Sequence, residues 1–188
     1  MIIKSGTVTL RAVEKEDMDL LWDMINDPAI ERMTGASPFP VSKDRQLRWF
    51  ENYDQQKDLR LMIQLNDGPA IGMIMLTDID YKNGTAQLHE KIKAAPQDRR
   101  PNDVYDAMMG FINYAFMEMN LNCLYGTVLE HNLLSRKLAL KCGLKEEGVL
   151  RQRLYKNGKY CNVIANSVIK EEFIPIYKKY LEDRKNGK

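Results

Sequence analysis

Cysteine and histidine are scarce, at three and two residues of 188. Cys123, Cys142 and Cys161 are odd in number, widely spaced and set in apolar or strand-like surroundings. That argues against a disulfide framework and a zinc site, and leaves buried, inert thiols as the expectation. No metal site is expected. An excess of charge is also missing, since 28 basic residues meet 26 acidic ones for a net charge of +2. So balanced a field implies no nucleic-acid partner. No apolar run approaches the roughly 20 residues that span a bilayer, and no basic segment followed by an apolar one opens the sequence. A cytoplasmic protein without a membrane partner is expected. Repeats and low-complexity segments are lacking too.

What is there can build a core. A 44% hydrophobic chain of 188 residues is long enough for one domain and short for two, so a single domain is expected over residues 1–188. The 11 methionines fall mostly in predicted helices and the third strand, where they read as core filling.

The pattern along the chain predicts the elements. A first strand closes over Leu10 to Val13, and the acids of Glu14 to Asp19 sit where a helix start favours them. Met18, Leu21, Trp22 and Ile25 form that helix's apolar stripe, and Asn26-Asp27-Pro28 ends it. After the break at Pro38-Phe39-Pro40, Ser42 caps a second helix carrying Leu47, Trp49 and Phe50. Asp67-Gly68, Asn83-Gly84 and Asn157-Gly158 read as tight turns with positive backbone angles. They make neighbours of the strands Leu59 to Leu65, Ala70 to Asp80 and Thr85 to Ile92. A long helix is expected over Asp103 to Met119, then a strand over Cys123 to Leu129 and a helix led by Asn132 with a buried face through Leu134, Leu138 and Cys142. Gly143 ends that helix, and the strands Lys145 to Tyr155 and Tyr160 to Ile169 precede a terminal helix over 170–184 with Phe173, Ile176, Tyr177 and Tyr180 on one face. The crossover between the fourth and fifth predicted strands requires a parallel pair inside a mainly antiparallel sheet.

Strand, Asn132-x-x-Ser135, helix, then Gly143-Leu144-x-x-Glu147-Gly148 resembles the acyl-CoA-binding element of the GNAT superfamily of N-acetyltransferases. The opening Thr7-Val8-Thr9-Leu10-Arg11 and the Tyr155 to Tyr160 hairpin are similar to the branch holding ribosomal-protein, spermidine and amino-sugar acetyltransferases. The resemblance implies a mixed α/β GNAT fold, mainly antiparallel, with a parallel strand pair that splays. It also implies acetyl-CoA as co-substrate and direct attack by a primary amine, which can be a polyamine, an amino sugar or a protein N-terminus. The acceptor is then a small molecule or a peptide, and a homodimer is left open. In such enzymes backbone amides of the fourth strand, here running to Ile92, orient pantetheine and the thioester carbonyl.

The family cradles the CoA diphosphate on a glycine-rich loop at a helix start. The corresponding Gln97, Asp98, Arg99, Arg100, Pro101, Asn102, Asp103 and Val104 contain no glycine. Arg99 and Arg100 can compensate by charge, whereas Asp98 and Asp103 oppose an anion. The resemblance places Asn132 near pantetheine and Ser135 near the cofactor thiol; Lys137 and Arg136 can meet the phosphates. Where many relatives carry a tyrosine as general acid, four residues before the helix-ending glycine, this chain has Ala139. Tyr155 or Tyr160 are the substitutes, against simple cross-strand packing.

A protonated amine must lose its proton before it attacks, and the fourth strand offers His89 and Glu90 side by side. Alternation sends them to opposite faces, so only one can face a cleft unless a bulge intervenes. Glu90 among apolar neighbours would have a raised pKa; His89 needs no shift; water alone is the third choice. Asp23, Asp27 and Glu31 are candidates for holding a polyamine. The rival to an enzyme is a ligand-binding or interaction module with a degenerate CoA loop.

Overall fold

Strand limits follow the alternation and the turn residues closely. The structure is a computed structural model that describes residues 2–35, 39–54, 57–93, 100 and 102–186. Its strands are β1 (Ile3–Ser5), β2 (Val8–Ala12), β3 (Leu59–Leu65), β4 (Ala70–Asp80), β5 (Thr85–Ile92), β6 (Cys123–Leu129), β7 (Lys145–Lys156) and β8 (Lys159–Ile169). They form one sheet in the order β1-β2-β3-β4-β5-β6-β8-β7, antiparallel except for β5 and β6. The helices are α1 (Met18–Ile25), α2 (Pro28–Met33), α3 (Lys43–Glu51), α4 (Asp103–Met117), α5 (Leu133–Lys141) and α6 (Lys170–Lys185), with a 3-10 turn at Lys15–Asp17 before α1. No helix among the described residues is long and apolar enough to cross a membrane.

Helices cover both faces of the sheet, so two apolar layers are buried. One, with Leu61, Ile63, Ile74, Leu76, Ala86 and Leu88, packs beneath α4 and α6, where Phe111, Phe116 and Phe173 are fully enclosed. The other joins Met62, Met73 and Met75 to Met18, Leu21 and Met24 of α1. The methionines of the third predicted strand thus fill the seam between the sheet and the first helices.

Several sequence expectations need correction. The first strand is a hairpin: β1 turns at Gly6, whose φ of +53° suits glycine, and a Cβ there would overlap the Asp106 carboxylate. Asp106, fully buried on α4, accepts from the Thr7 amide (2.9 Å) and the Tyr180 hydroxyl (3.0 Å) and pairs with Arg184 (2.9 Å). That network docks the hairpin on α4 and α6. Asn26-Asp27-Pro28 ends α1 but also starts α2, since Asp27 accepts from the Ala29 amide at 2.7 Å and Pro28 occupies the first turn. Of the three turn pairs, only Asn157-Gly158 has positive φ at both residues; Gly84 has it alone in the second pair, and Asp67-Gly68 at neither. α4 stops at Met117, two residues short of the expected Met119. Of the expected face of α5, Leu134 is exposed, Leu138 is half-buried against the core and Cys142, just past the helix, is enclosed.

Candidate active site

The parallel pair is short. β5 and β6 are joined at Thr85↔Cys123, Ala86↔Leu124 and Gln87↔Tyr125, and then part. β6 keeps its full ladder to β8 as far as Leu129↔Val163, while β5 keeps its ladder to β4 as far as Ile92↔Gly72. The sheet therefore opens from Leu88 onward, and a cavity of about 530 Å³ fills the opening.

That cavity passes through the sheet. Leu88 and Glu90 stand opposite Leu76 and Ile74 on the α4 face, whereas His89 and Lys91 stand opposite Met75 and Met73 on the α1 face. All four β5 residues line the same cavity, although β5 has no register shift between them. The expectation that only one of His89 and Glu90 can face the cleft is overturned. It assumed a cleft lying on one face, and a hole between parted strands is open to both.

The backbone follows the same logic. The Lys91 carbonyl lies against Gly72 and the Lys93 amide donates to the Ile71 carbonyl at 2.9 Å, so odd-numbered residues spend their polar groups on β4. The Leu88 carbonyl lies instead beside Gly126 of β6. By alternation the amides of Glu90 and Ile92 turn toward the gap, beyond the last β6 pair. Such an edge can receive a thioester carbonyl or a pantetheine amide.

Burial pushes the Glu90 carboxyl up to about 7, with its own backbone amide pulling weakly the other way. The buried Cys142 thiol is raised chiefly by burial and then by the Glu90 charge, which places Glu90 toward the end of α5. His89 is moved down, first by burial and then by Lys91 and Arg60, and its Nε2 lies 3.1 Å from the Thr77 hydroxyl. Near neutrality it is the uncharged imidazole, while Glu90 titrates.

On the α5 side, Ser135 and Ala139 line the cavity. Asn132 is buried there: its Oδ1 accepts from the Ser135 amide (3.2 Å) and its Nδ2 donates to the Met33 carbonyl (3.0 Å). It is a helix cap and also a tie between the end of α2 and the start of α5, two walls of the same cavity. Arg136 is held by Glu146 through two contacts of 2.8 and 3.0 Å, and Lys137 is exposed outside the cavity lining.

At the start of α4, Gln97 and Arg99, with Asp98 and Pro101, lie outside the described residues. Asp103 does not face outward against an anion. It is fully buried and accepts from the Thr7 hydroxyl and, at 2.6 Å, from the Arg100 amide. Val104 is buried, Arg100 is exposed, and Asn102 caps by position only. The Asn102 Oδ1 accepts from Lys141 Nζ at 3.3 Å, and that ammonium sits 3.8 Å from the centre of the Tyr105 ring. Lys141 is a cation at this helix start that sequence reasoning missed, because it arrives from α5 with no local signal. The Lys141 ammonium and the Asn102 amide thus stand together at the N-terminus of α4, and Ala139 lines the cavity wall.

Tyr155 belongs elsewhere. It and Tyr160 are exposed on the outer hairpin, ring to ring at 5.2 Å, while neighbouring Leu154 lines the cavity. The packing alternative describes both tyrosines. The three acids considered for a polyamine are engaged outside the cavity lining: Asp23 pairs with Lys93 (2.7 Å), Asp27 caps α2 and Glu31 pairs with Lys156.

Comparison with known proteins fits this geometry. Residues 7–145 match the acetyltransferase (GNAT) domain family. The chain is 27% identical over 166 residues to an SPbeta prophage-derived uncharacterized N-acetyltransferase, YokL, of Bacillus subtilis, covering 88% of this chain and 92% of that one. It is 22% identical over 170 residues to a spermidine N(1)-acetyltransferase of Vibrio cholerae, covering 90% and 97%. Among solved structures, spermidine N-acetyltransferase from Vibrio cholerae in complex with CoA and spermine superposes with a TM-score of 0.81 at 23% identity, covering 89% of this chain and 98% of that one. With the mixed sheet, the parted parallel pair and a family match over most of its length, the chain belongs to the GNAT family of acetyltransferases, whose acyl donor is acetyl-CoA.

Proposed function

We propose that this protein transfers an acetyl group from acetyl-CoA directly to a primary amine, the two substrates meeting in the hole between β5 and β6. One observation carries the reading: a titratable carboxyl, Glu90, and a neutral imidazole, His89, line one cavity from opposite faces of the parted sheet. Acetyl-CoA supplies the activated acyl group. The amides of Glu90 and Ile92, Ser135 and the α5 start beside Asn132 would hold its acyl end, with Arg100, Asn102, Lys141 and the N-terminus of α4 toward the diphosphate. Arg99 and Gln97 are further candidates for the diphosphate.

An acceptor amine enters as an ammonium ion and must become neutral to attack. A carboxylate with a pKa near 7 is ionised often enough near neutrality to take that proton, and basic enough to do so usefully. Glu90 is therefore the base in this reading. His89, already deprotonated and beside the Thr77 hydroxyl, orients the amine by hydrogen bonding. No tyrosine lines the cavity among the described residues, so the departing sulfur takes its proton from water or the Ser135 hydroxyl.

Thiol release from acetyl-CoA over a panel of amines tests the reading, with CoA binding measured separately. Turnover with at least one amine class supports it. CoA binding without turnover on any amine would return the protein to the ligand-binding module.

A further inference from the structure

Two basic side chains, Lys91 and Arg153, line the cavity. Lys91 lines it from β5, half-buried, and its pKa is lowered by burial and then by Arg60, with no carboxylate opposing. Among the described residues Lys91 has no ion-pair partner. Arg153 lines the same cavity from β7, also without an ion pair among the described residues. Five arginines are matched, Arg11 with Asp17, Arg48 with Asp44, Arg60 with Asp58, Arg136 with Glu146 and Arg184 with Asp106, and of the unmatched ones among the described residues Arg153 is the one that lines the cavity.

The backbone of β7 is bent to bring Arg153 there. Pairing with β8 slips between Leu150 and Leu154, and within the slip Gln152 adopts φ +51°, its amide donating to Asn162 Oδ1 at 2.9 Å. Arg153 and Leu154, at the end of that slip, both line the cavity. A bulge with a left-handed non-glycine residue is a costly way to place a side chain and marks positions where aim matters.

We propose that the acceptor amine carries an anionic group, a carboxylate or a phosphate, that pairs with Lys91 and Arg153 while the nitrogen reaches the gap between β5 and β6. This rests on the acetyl-transfer reading. An ammonium withdrawn from water without a counter-ion is unfavourable, and an anionic acceptor supplies the missing partner. A polyamine does the reverse: its distal ammonium groups meet Lys91 and Arg153. Among the described residues the carboxyl lining the cavity is Glu90, on the other face, and the acids of α1 and α2 are spent on Lys43, Lys93, Lys156 and the α2 cap.

Matched amines test this. Ethanolamine against O-phosphoethanolamine, and propylamine against β-alanine, are compared with spermidine in the thiol-release assay. Binding of the same compounds to the protein–CoA complex is followed by calorimetry, which needs no turnover. The anionic member of at least one pair should be preferred by about tenfold or more, the scale of one charge-assisted hydrogen bond. The pair that shows the preference separates phosphate from carboxylate. Lys91→Met and Arg153→Gln should each shrink that ratio, and Lys91→Arg should keep it; Arg153 is exposed, so its substitution leaves the fold intact. Equal binding of both members of each pair, or tighter binding of spermidine, overturns the anionic acceptor even if acetylation is observed. Absence of turnover on every amine with the anionic preference intact in calorimetry would overturn the transfer reading and keep the anion site.

Discussion

Replacing Glu90 by glutamine separates a stability effect from a catalytic one, because the geometry predicts opposite signs. Moving the carboxyl from its ordinary 4.5 to about 7 corresponds to about 3 kcal/mol, at about 1.4 kcal/mol per pH unit. A raised folded-state value means the native state holds this proton more tightly than the unfolded chain. The resulting stabilisation is complete below pH 4.5, fades as pH rises through the folded value near 7, and leaves an ionised carboxylate between apolar walls above it. Glu90→Gln keeps the shape and never ionises. Chemical denaturation from pH 4 to 9 should show parent and variant alike at the acid end, with the variant more stable by up to about 3 kcal/mol at the alkaline end. Activity should move the other way, kcat/KM falling by ~10² or more with CoA affinity unchanged, the usual scale for losing acid–base help. In the parent, the rate should climb as pH rises through about 7, and in the variant that limb should flatten. A pH-independent stability difference would refute the burial argument, and an unaltered rate would refute the base.

The diphosphate loop, the cap at Asn132 and the hairpin at Gly6 give further tests. Arg99→Ala with Arg100→Ala should weaken CoA binding by roughly 1.5 to 3 kcal/mol per hydrogen-bonded charge lost, and calorimetry at low and high salt should show the parent's affinity falling with salt. Unchanged affinity in the double variant would sink the charge compensation. Asn132→Ala removes the α5 cap and the tie to Met33, so stability should drop by about 1 to 2 kcal/mol with a rise in KM for acetyl-CoA; a stability loss with KM unmoved would leave only the cap. Gly6→Ala puts a Cβ into the Asp106 carboxylate at a positive φ and should cost about 3 kcal/mol or more in urea denaturation, by disturbing a buried ion pair. A loss well under 1 kcal/mol would mean the hairpin does not depend on that network.

Local chemistry determined a large part of this protein. Alternation between turn formers placed Leu59–Leu65, Ala70–Asp80, Thr85–Ile92 and Cys123–Leu129, and the cap at Asn132 with the positive-φ Gly143 bounded α5. These signals act within a few residues, so they are legible without a fold. The crossover from Ile92 to Cys123 even required the parallel pair whose parting makes the site. Other features were decided only by distant groups. β1 has three residues, too few for a period, and depends on Asp106 of α4, Tyr180 and Arg184 for its place. Pairing His89 and Glu90 in one cavity needed the sheet to open, which no alternation rule contains. Lys141 met Asn102, and Arg153 met the cavity that holds Lys91, because separate elements fold against one another and a bulge turned β7. Charge balance along the sequence gave no hint of that basic wall, since its neutralising acids are paired elsewhere in three dimensions.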